Sequence, residues 1–162
     1  MPAEPAAVHP STQKVLDAAR QRGLEIEVRQ FAESTRTAQE AAQAAGASLG
    51  QIAKSVVFLA DGKPVLVLAS GPNRVDTAKV AQHLGANQVR RASAEEVRAA
   101  TGFAIGGVPP FGHTPPLAVF FDRDLLRFET VWAAAGTPNA MFLIEPRRLA
   151  EASDAIVADV KE

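Results

Sequence analysis

The sequence predicts an α+β fold, a single domain in which a mixed, mostly antiparallel sheet is flanked by short helices. Apolar runs of strand length are interspersed with short, capped helical segments, and 162 residues suit one hydrophobic core. The strict strand–helix alternation of a doubly wound parallel sheet is missing from this mixed α/β pattern. A barrel-like closure of the sheet is compatible with the same pattern.

The first ten residues are rich in alanine and proline, so we expect a disordered tail over 1–10 and one folded domain over 11–162. Apolar residues at helical spacing predict a helix from Ser11 to Arg22, which ends before a glycine. Alternation of apolar and charged residues then predicts a half-buried strand over Leu24–Val28.

Capping residues mark the other helices. Thr37 with Glu40, and Ser93 with Glu96, have the spacing of a capping box, and Asp76 is a good N-cap. A glycine just after a helix, or a proline in its first turn, completes the helix signals. The predicted helices cover roughly 38–45, 77–84, 94–100 and 146–152.

Two apolar strands, Ile52–Leu59 and Val65–Ala69, are joined through Asp61-Gly62, which is the strongest short hairpin signal. Further apolar runs predict the remaining strands of the sheet. They cover 87–92, 117–121, 130–134, 140–144 and 155–160.

Composition narrows the function classes. A net charge of −1 argues against a protein that coats DNA, so any nucleic-acid contact must be local. The chain has no cysteine, and it shows no signal peptide and no apolar run long enough for a membrane span. We therefore expect a cytoplasmic protein, with no membrane and no DNA partner.

The familiar catalytic constellations are missing from the sequence. The three histidines are isolated, so we expect no metal site, and no phosphate-binding or dinucleotide fingerprint predicts a cofactor. Ser70 lacks the upstream glycine of a nucleophile elbow. His113 adjoins a glycine-rich loop, where it is either a base or a structural residue. An enzyme with this sequence would depend on positioning and backbone electrostatics.

Lys54 stands inside an apolar strand. A buried ammonium must be paired or it loses its proton. Two interpretations remain open: the side chain reaches water from the start of the strand, or it projects into a cleft that receives an anion.

The segment Thr101–Gly112, which we call the Gly/Pro loop, contains four glycines and two prolines. Glycines let backbone N–H groups approach a ligand closely, where they can cradle a carboxylate, a carbonyl or a phosphate. An ordinary surface turn is the alternative interpretation.

Several runs in this order resemble a known family. They are Lys54–Phe58, Val75–Ala81, Thr101–Phe103 and Gly106–Gly112. The chain resembles the YbaK/EbsC-type aminoacyl-tRNA deacylases, relatives of the editing insertion domain of bacterial prolyl-tRNA synthetase. The resemblance covers about 37–157.

The resemblance implies hydrolysis of the ester that joins a wrong amino acid to the 3′ end of a tRNA, typically tRNA for proline. In such a site Lys54 would meet the terminal adenosine and its phosphate, and Gly106–Pro110 would hold the aminoacyl group. The later loop of the family often reads Gly-His-Pro, whereas Thr137 stands in place of the histidine here.

The predicted catalytic residues are Lys54, Gly106 and Gly107, with the two glycines presenting N–H groups to a developing oxyanion. The predicted substrate-binding residues are Phe31, Ser55, Val108, Pro109, Pro110, Phe111, Gly136, Thr137 and Asn139, and Met141 is a further candidate for the pocket lining.

The expected substrate is a mischarged tRNA, and the expected partner is prolyl-tRNA synthetase. We expect a monomer or a weak dimer. The alternative hypothesis is a non-catalytic module that binds tRNA, an aminoacyl nucleotide or a protein through the same cleft.

Overall fold

The structure is a computed structural model that describes residues 8–162. Residues 1–7 of the expected tail lie outside the described part. His9 and Pro10 belong to the start of the first helix, because His9 Nδ1 accepts a hydrogen bond from the Ser11 backbone N–H at 3.0 Å. The folded part therefore begins slightly before the predicted boundary.

Five α-helices and eight strands make up the described chain. The helices are α1 (Pro10–Gln21), α2 (Ala38–Ala45), α3 (Thr77–Leu84), α4 (Ala94–Thr101) and α5 (Pro146–Ala152). The strands are β1 (Val28–Gln30), β2 (Ile52–Ala60), β3 (Lys63–Ser70), β4 (Val89–Arg91), β5 (Ala118–Asp122), β6 (Val131–Ala134), β7 (Ala140–Ile144) and β8 (Ile156–Ala158). Two 3-10 turns cover Leu49–Gln51 and Arg123–Arg127.

The local signals identified most of these elements. Asp76 caps α3, Ser93 and Glu96 form the predicted capping box at α4, and Thr37 accepts from the Glu40 N–H at α2. The β2–β3 hairpin turns at Asp61 (φ 47°) and Gly62 (φ 84°). These positive angles are those of the tight hairpin that the Asp-Gly pair predicts.

The strands form one mixed sheet in the order β1-β7-β6-β2-β3-β5-β8, with β4 paired to β2. The ladders β1–β7, β2–β3, β2–β4 and β6–β7 are antiparallel, whereas β2–β6, β3–β5 and β5–β8 are parallel. The mixed, mostly antiparallel α+β architecture is confirmed. The sheet stays open between β1 and β8, so the barrel-like alternative is wrong.

One strand lies later than predicted. Leu24–Glu27 is irregular, and the strand begins at Val28, where it pairs with Phe142 of β7. The Leu24 N–H instead closes the end of α1 on the Ala19 carbonyl at 2.9 Å. The alternating pattern therefore marked a half-buried segment, and pairing with β7 determined where the strand begins.

The two faces of the sheet are packed differently. One face carries the main core, where Leu66, Leu68 and Phe121 pack with residues from α1, α4 and α5. The opposite face carries two smaller clusters, one around Phe120 and Val80 of α3 and one around Trp132 and α2. A cavity lies on the sheet between these smaller clusters.

Candidate active site

The cavity has a volume of about 640 Å³ and forms where β2 lacks a neighbouring strand on one side. On that side β2 pairs with β6 at Ile52 and Ala53 and with β4 from Phe58 to Ala60, so within the described chain 54–57 face no strand there. The residues Lys54, Ser55 and Val56 line the cavity at this opening. The split in the sheet is therefore the origin of the cavity.

Lys54 is half-buried in the cavity wall, and its Nζ donates a hydrogen bond to the Gly71 carbonyl at 3.1 Å. Burial lowers the pKa of Lys54 from its ordinary 10.5, and the positive charges of Arg91 and Arg74 act in the same direction. The carboxylate of Asp122 opposes this shift and raises the pKa of Lys54. A single carbonyl partner leaves an ammonium with further N–H donors for a ligand.

Ser55 provides a second unusual group. Within residues 8–162, its Oγ is the buried side-chain oxygen or nitrogen without a hydrogen-bond partner. The Val57 carbonyl faces β4, where it accepts from the Ala92 N–H at 3.0 Å. Backbone direction alternates along a strand, so the N–H and C=O of Ser55 face the opening in the sheet. Buried polar groups usually have partners, so the Ser55 Oγ is an exception, and the backbone N–H and C=O of Ser55 are the groups that face the opening.

Three arginines join Lys54 in the lining: Arg36, Arg74 and Arg91 are exposed side chains around the cavity. Among the described residues that line it there is no aspartate and no glutamate. Outside the lining, the Glu162 carboxylate lies 3.9 Å from the Arg74 guanidinium. The cavity is thus strongly cationic in a chain whose net charge is −1.

Apolar side chains form the deeper wall. Ile52, Trp132 and Met141 are buried members of the α2-side cluster and line the cavity. Ala53, Ala134 and Ile105 extend the same wall. A cationic rim above an apolar wall can hold a molecule that carries phosphate at one end and a small, weakly polar group at the other.

The cavity lies wholly within one recognised domain. A model of the aminoacyl-tRNA editing domain matches residues 32–152, and every lining residue falls inside that range. The chain belongs to the aminoacyl-tRNA editing domain family.

Similar proteins agree with this assignment. The protein YwhH of Bacillus subtilis (strain 168), which is uncharacterized, is 39% identical over 130 residues, covering 80% of this chain and 82% of that protein. The proline–tRNA ligase of Streptococcus equi subsp. equi (strain 4047) is 31% identical over 113 residues, 69% of this chain but 18% of the ligase. A solved structure of a proposed trans-editing enzyme for prolyl-tRNA synthetase has a TM-score of 0.90 and 48% identity, covering 96% of this chain and 99% of that one.

The editing domain brings only part of the predicted site to the cavity. Lys54, Ser55, Gly106 and Met141 line it. Gly106 has a φ of 87°, and a Cβ there would lie 2.9 Å from the Arg36 Cα, so this glycine permits the Gly/Pro loop to approach the rim. Its N–H stays a candidate donor to substrate.

Gly107 is held by hydrogen bonds on both of its backbone groups. Its N–H donates to the Ala104 carbonyl at 3.0 Å, and its carbonyl accepts from the Gly136 N–H at 2.9 Å. A Cβ at this position would lie 2.8 Å from the Thr137 Cα. Gly107 thus packs two loops together with its N–H already engaged, which weakens the predicted oxyanion role but leaves it a prediction.

The rest of the Gly/Pro loop is buried packing. Val108 and Phe111 belong to the main core, and Pro109 and Pro110 are also buried, so none of the four lines the cavity. His113 is buried too, with its Nε2 2.6 Å from the Pro109 carbonyl, which favours the structural interpretation over the base. The structure places these residues in the core, and their contact with the aminoacyl group stays a prediction.

The remaining predicted residues lie next to the cavity and contact residues that line it or adjoin it. The Phe31 ring packs edge-on against the Trp132 ring, with the two ring centroids 6.2 Å apart. Asn139 Nδ2 donates a hydrogen bond to the Glu33 carbonyl at 3.1 Å. The turn Gly136–Asn139 also holds Thr35, which does line the cavity, through the Pro138 carbonyl. Gly136, Thr137 and Asn139 are not part of the lining.

Sequence reasoning missed Arg36, Arg74, Trp132 and the carbonyl of Gly71. No local pattern marks these positions, because the sheet and its loops bring them together from distant parts of the chain.

No helix among the described residues is long and apolar enough to cross a membrane.

Proposed function

We propose that this protein is a freestanding trans-editing aminoacyl-tRNA deacylase that hydrolyses the ester of a mischarged small amino acid on tRNA, with tRNA for proline as its substrate. The observation that carries the proposal is the lining of the cavity in the editing domain. Four cationic side chains surround an apolar wall, and no carboxylate is among the described lining residues.

The charge distribution favours a polyanionic substrate. Arginine and lysine form strong, charge-assisted hydrogen bonds to phosphate oxygens. A cavity without acidic residues attracts the phosphates of a tRNA 3′ end although the whole protein carries a charge of −1. The similarity to a segment of proline–tRNA ligases supports tRNA for proline, and prolyl-tRNA synthetase as a cytoplasmic partner.

The apolar wall suits a small amino acid. A synthetase distinguishes amino acids that differ by one methylene by only about 10- to 200-fold, so errors with small residues need a second site. Ile52, Trp132 and Met141 are buried apolar residues of the cavity lining. They would accept a short aminoacyl side chain and exclude a bulky one.

The mechanism relies on positioning. Lys54 holds the phosphate or ribose of the terminal adenosine, while a free ribose hydroxyl of the substrate orients the attacking water. The water adds to the ester carbonyl, the carbonyl oxygen becomes negative, and the bond from the carbonyl carbon to the ribose oxygen then breaks, with a proton passing to that oxygen. We assign the stabilisation of the oxyanion to the N–H groups of Gly106 and Ser55. One such donor lowers the activation free energy by roughly 3 kcal/mol.

The test is release of amino acid from a panel of tRNA-Pro species mischarged with alanine, serine, cysteine and other small residues. We expect hydrolysis of at least one species, and a loss of kcat/KM on the order of 100-fold in Lys54→Ala. The matched control is Lys63→Ala, because Lys63 is an exposed lysine on β3 that does not line the cavity. Full activity in Lys54→Ala would remove Lys54 from the mechanism.

A non-catalytic binding module is the second candidate. It is favoured by the fact that no histidine or carboxylate of the described chain lines the cavity, so no conventional general base is present there. This candidate predicts that the protein binds the mischarged tRNAs and hydrolyses none of them. The same panel therefore separates the two functions.

A further inference from the structure

Asp122 is a buried carboxylate that the mechanism above does not use. It ends β5 with 1% of its surface exposed and does not line the cavity. A carboxylate that loses its water must find other donors. Asp122 accepts from the Ser70 N–H at 3.0 Å, from Asn73 Nδ2 at 2.8 Å and from the Asp124 N–H at 2.9 Å.

Two of these donors belong to the Ser70–Asn73 turn, which the Asn73 N–H closes on the Ser70 carbonyl at 2.9 Å. Asn73 Nδ2 also donates to Asp124 at 2.8 Å, and Lys161 Nζ donates to the same carboxylate at 2.7 Å. The pKa of Asp124 is accordingly lowered, chiefly by the hydrogen bond from Lys161. The turn is thus joined on one side to the end of β5 and to the end of the chain.

The other side of the turn is fixed as firmly. Ser70 Oγ donates to the Gly50 carbonyl at 2.7 Å, and a Cβ at Gly71 would overlap the Leu49 carbonyl oxygen. The turn therefore has little freedom to move. Its Gly71 carbonyl is the acceptor that holds Lys54 Nζ at 3.1 Å.

We propose that Asp122 is a positioning residue for Lys54: it fixes the Ser70–Asn73 turn so that the Gly71 carbonyl holds the ammonium in the cavity wall. This inference rests on the proposed function, in which Lys54 contacts the tRNA 3′ end. The charge of Asp122 has a second effect. It favours the protonated form of Lys54 against burial and against Arg91 and Arg74, the other charges that act on this ammonium.

The test is Asp122→Asn, measured by deacylation of the best mischarged tRNA. We expect kcat/KM to fall on the order of 10- to 100-fold, because a displacement of about 1 Å in a binding group is enough for such a loss. We also expect the decline of activity at high pH, after subtraction of uncatalysed hydrolysis, to move to lower pH. Loss of a negative charge near Lys54 lets its ammonium lose the proton sooner.

Asp17→Asn is the control, since it removes the same charge from a residue of α1 that contacts Gln13 and Arg20 and makes no hydrogen bond to the turn or to Asp124 and Lys161. It should keep the wild-type rate and pH profile. Placing Asp122→Asn in a Lys54→Ala background should cause no further loss, because an effect that passes through Lys54 disappears with it. If Asp122 had a purely structural role, Asp122→Asn would lower kcat/KM by the same factor in the wild-type and Lys54→Ala backgrounds. That result would overturn the proposal.

Asn73→Ala keeps the inference testable if Asp122→Asn does not fold, as circular dichroism would show. It removes one bond between the turn and Asp122, so a smaller loss of kcat/KM with the same dependence on Lys54 is expected. Unchanged kinetics in the folded variant would refute the positioning role. Absence of hydrolysis by the wild-type protein would instead refute the proposed function, so the two failures are distinguishable.

Discussion

The Ser70–Asn73 turn and the Gly/Pro loop both contain glycine and proline, yet they have different roles. The turn presents its Gly71 carbonyl to Lys54 beside the cavity. The Gly/Pro loop sends most of its residues into the core and reaches the cavity only at Ile105 and Gly106. A glycine–proline segment in a sequence can therefore mean a ligand-facing turn or a closely packed one, and burial separates them.

The two segments share one physical feature, which is a glycine pressed against a neighbouring backbone. Gly71 lies against Leu49, and Gly107 lies against Thr137. In both cases a side chain would separate two loops. The consequences should differ, because the Gly71 carbonyl holds Lys54, whereas the Gly107 N–H is already bonded within its own loop. Matched alanine substitutions test this difference.

The larger effect on activity is expected from Gly71→Ala. The added Cβ overlaps the Leu49 carbonyl, so the turn must shift and carry the acceptor of Lys54 with it. We expect kcat/KM to fall at least about 100-fold while the variant still shows a cooperative unfolding transition. Steady-state deacylation and urea unfolding measure the two quantities. Wild-type kinetics in this variant would mean that the turn does not position Lys54.

Gly107→Ala should reduce stability more than activity. Its Cβ would lie 2.8 Å from the Thr137 Cα, so we expect the free energy of unfolding to fall by about 1–3 kcal/mol, as in other overpacked sites. The folded fraction should keep most of its kcat, because the Gly107 N–H already donates to Ala104. Gly46→Asn serves as the control, since nothing lies within 4 Å of a Cβ there and asparagine tolerates the left-handed backbone.

A loss of kcat in Gly107→Ala without loss of stability would contradict this comparison. It would return the second glycine to the catalytic role that the sequence predicted. Active-site titration with a slowly hydrolysed substrate would separate lower kcat from a smaller folded fraction.

The sequence predicted the parts of the molecule that local patterns specify. The β2–β3 hairpin and the caps of α3 and α4 follow from residues a few positions apart. Lys54 could be singled out because a charge interrupts an apolar strand. In contrast, β1 has only three residues and is specified by its pairing with β7, which no local pattern reveals.

The site was harder to predict because its groups meet only through the fold. Arg36, Arg74 and Arg91 come from three different loops or strand ends and read as ordinary surface charges in the sequence. The composition of the Gly/Pro loop suggested a ligand cradle, but its buried valine and phenylalanine residues fill the core instead. Composition gives the conformational freedom of a loop, and packing decides which side of the loop faces a ligand.

His113 provides the smallest and most specific test of the structural role of the Gly/Pro loop. Burial lowers the pKa of His113 from its ordinary 6.5, and the nearby Arg22 acts in the same direction, whereas the hydrogen bond with Pro109 opposes the shift. The folded state thus resists protonation more than the unfolded state does. The stability that this neutral histidine preserves is fully present above about pH 6.5 and is lost as the pH falls through the folded-state pKa.

We therefore expect the free energy of unfolding, measured in urea between pH 8 and pH 5, to decrease toward acid in the wild-type protein. The decrease should be smaller in His113→Gln, which cannot take up the proton and retains an N–H for the Pro109 carbonyl. Deacylation by the folded variant at pH 7.5 should stay close to that of the wild type, because His113 lies in the core and not at the cavity. If His113→Gln loses activity while its stability and pH dependence match the wild type, the histidine acts on the substrate, and the division between a packed loop and a ligand-facing turn would have to be redrawn.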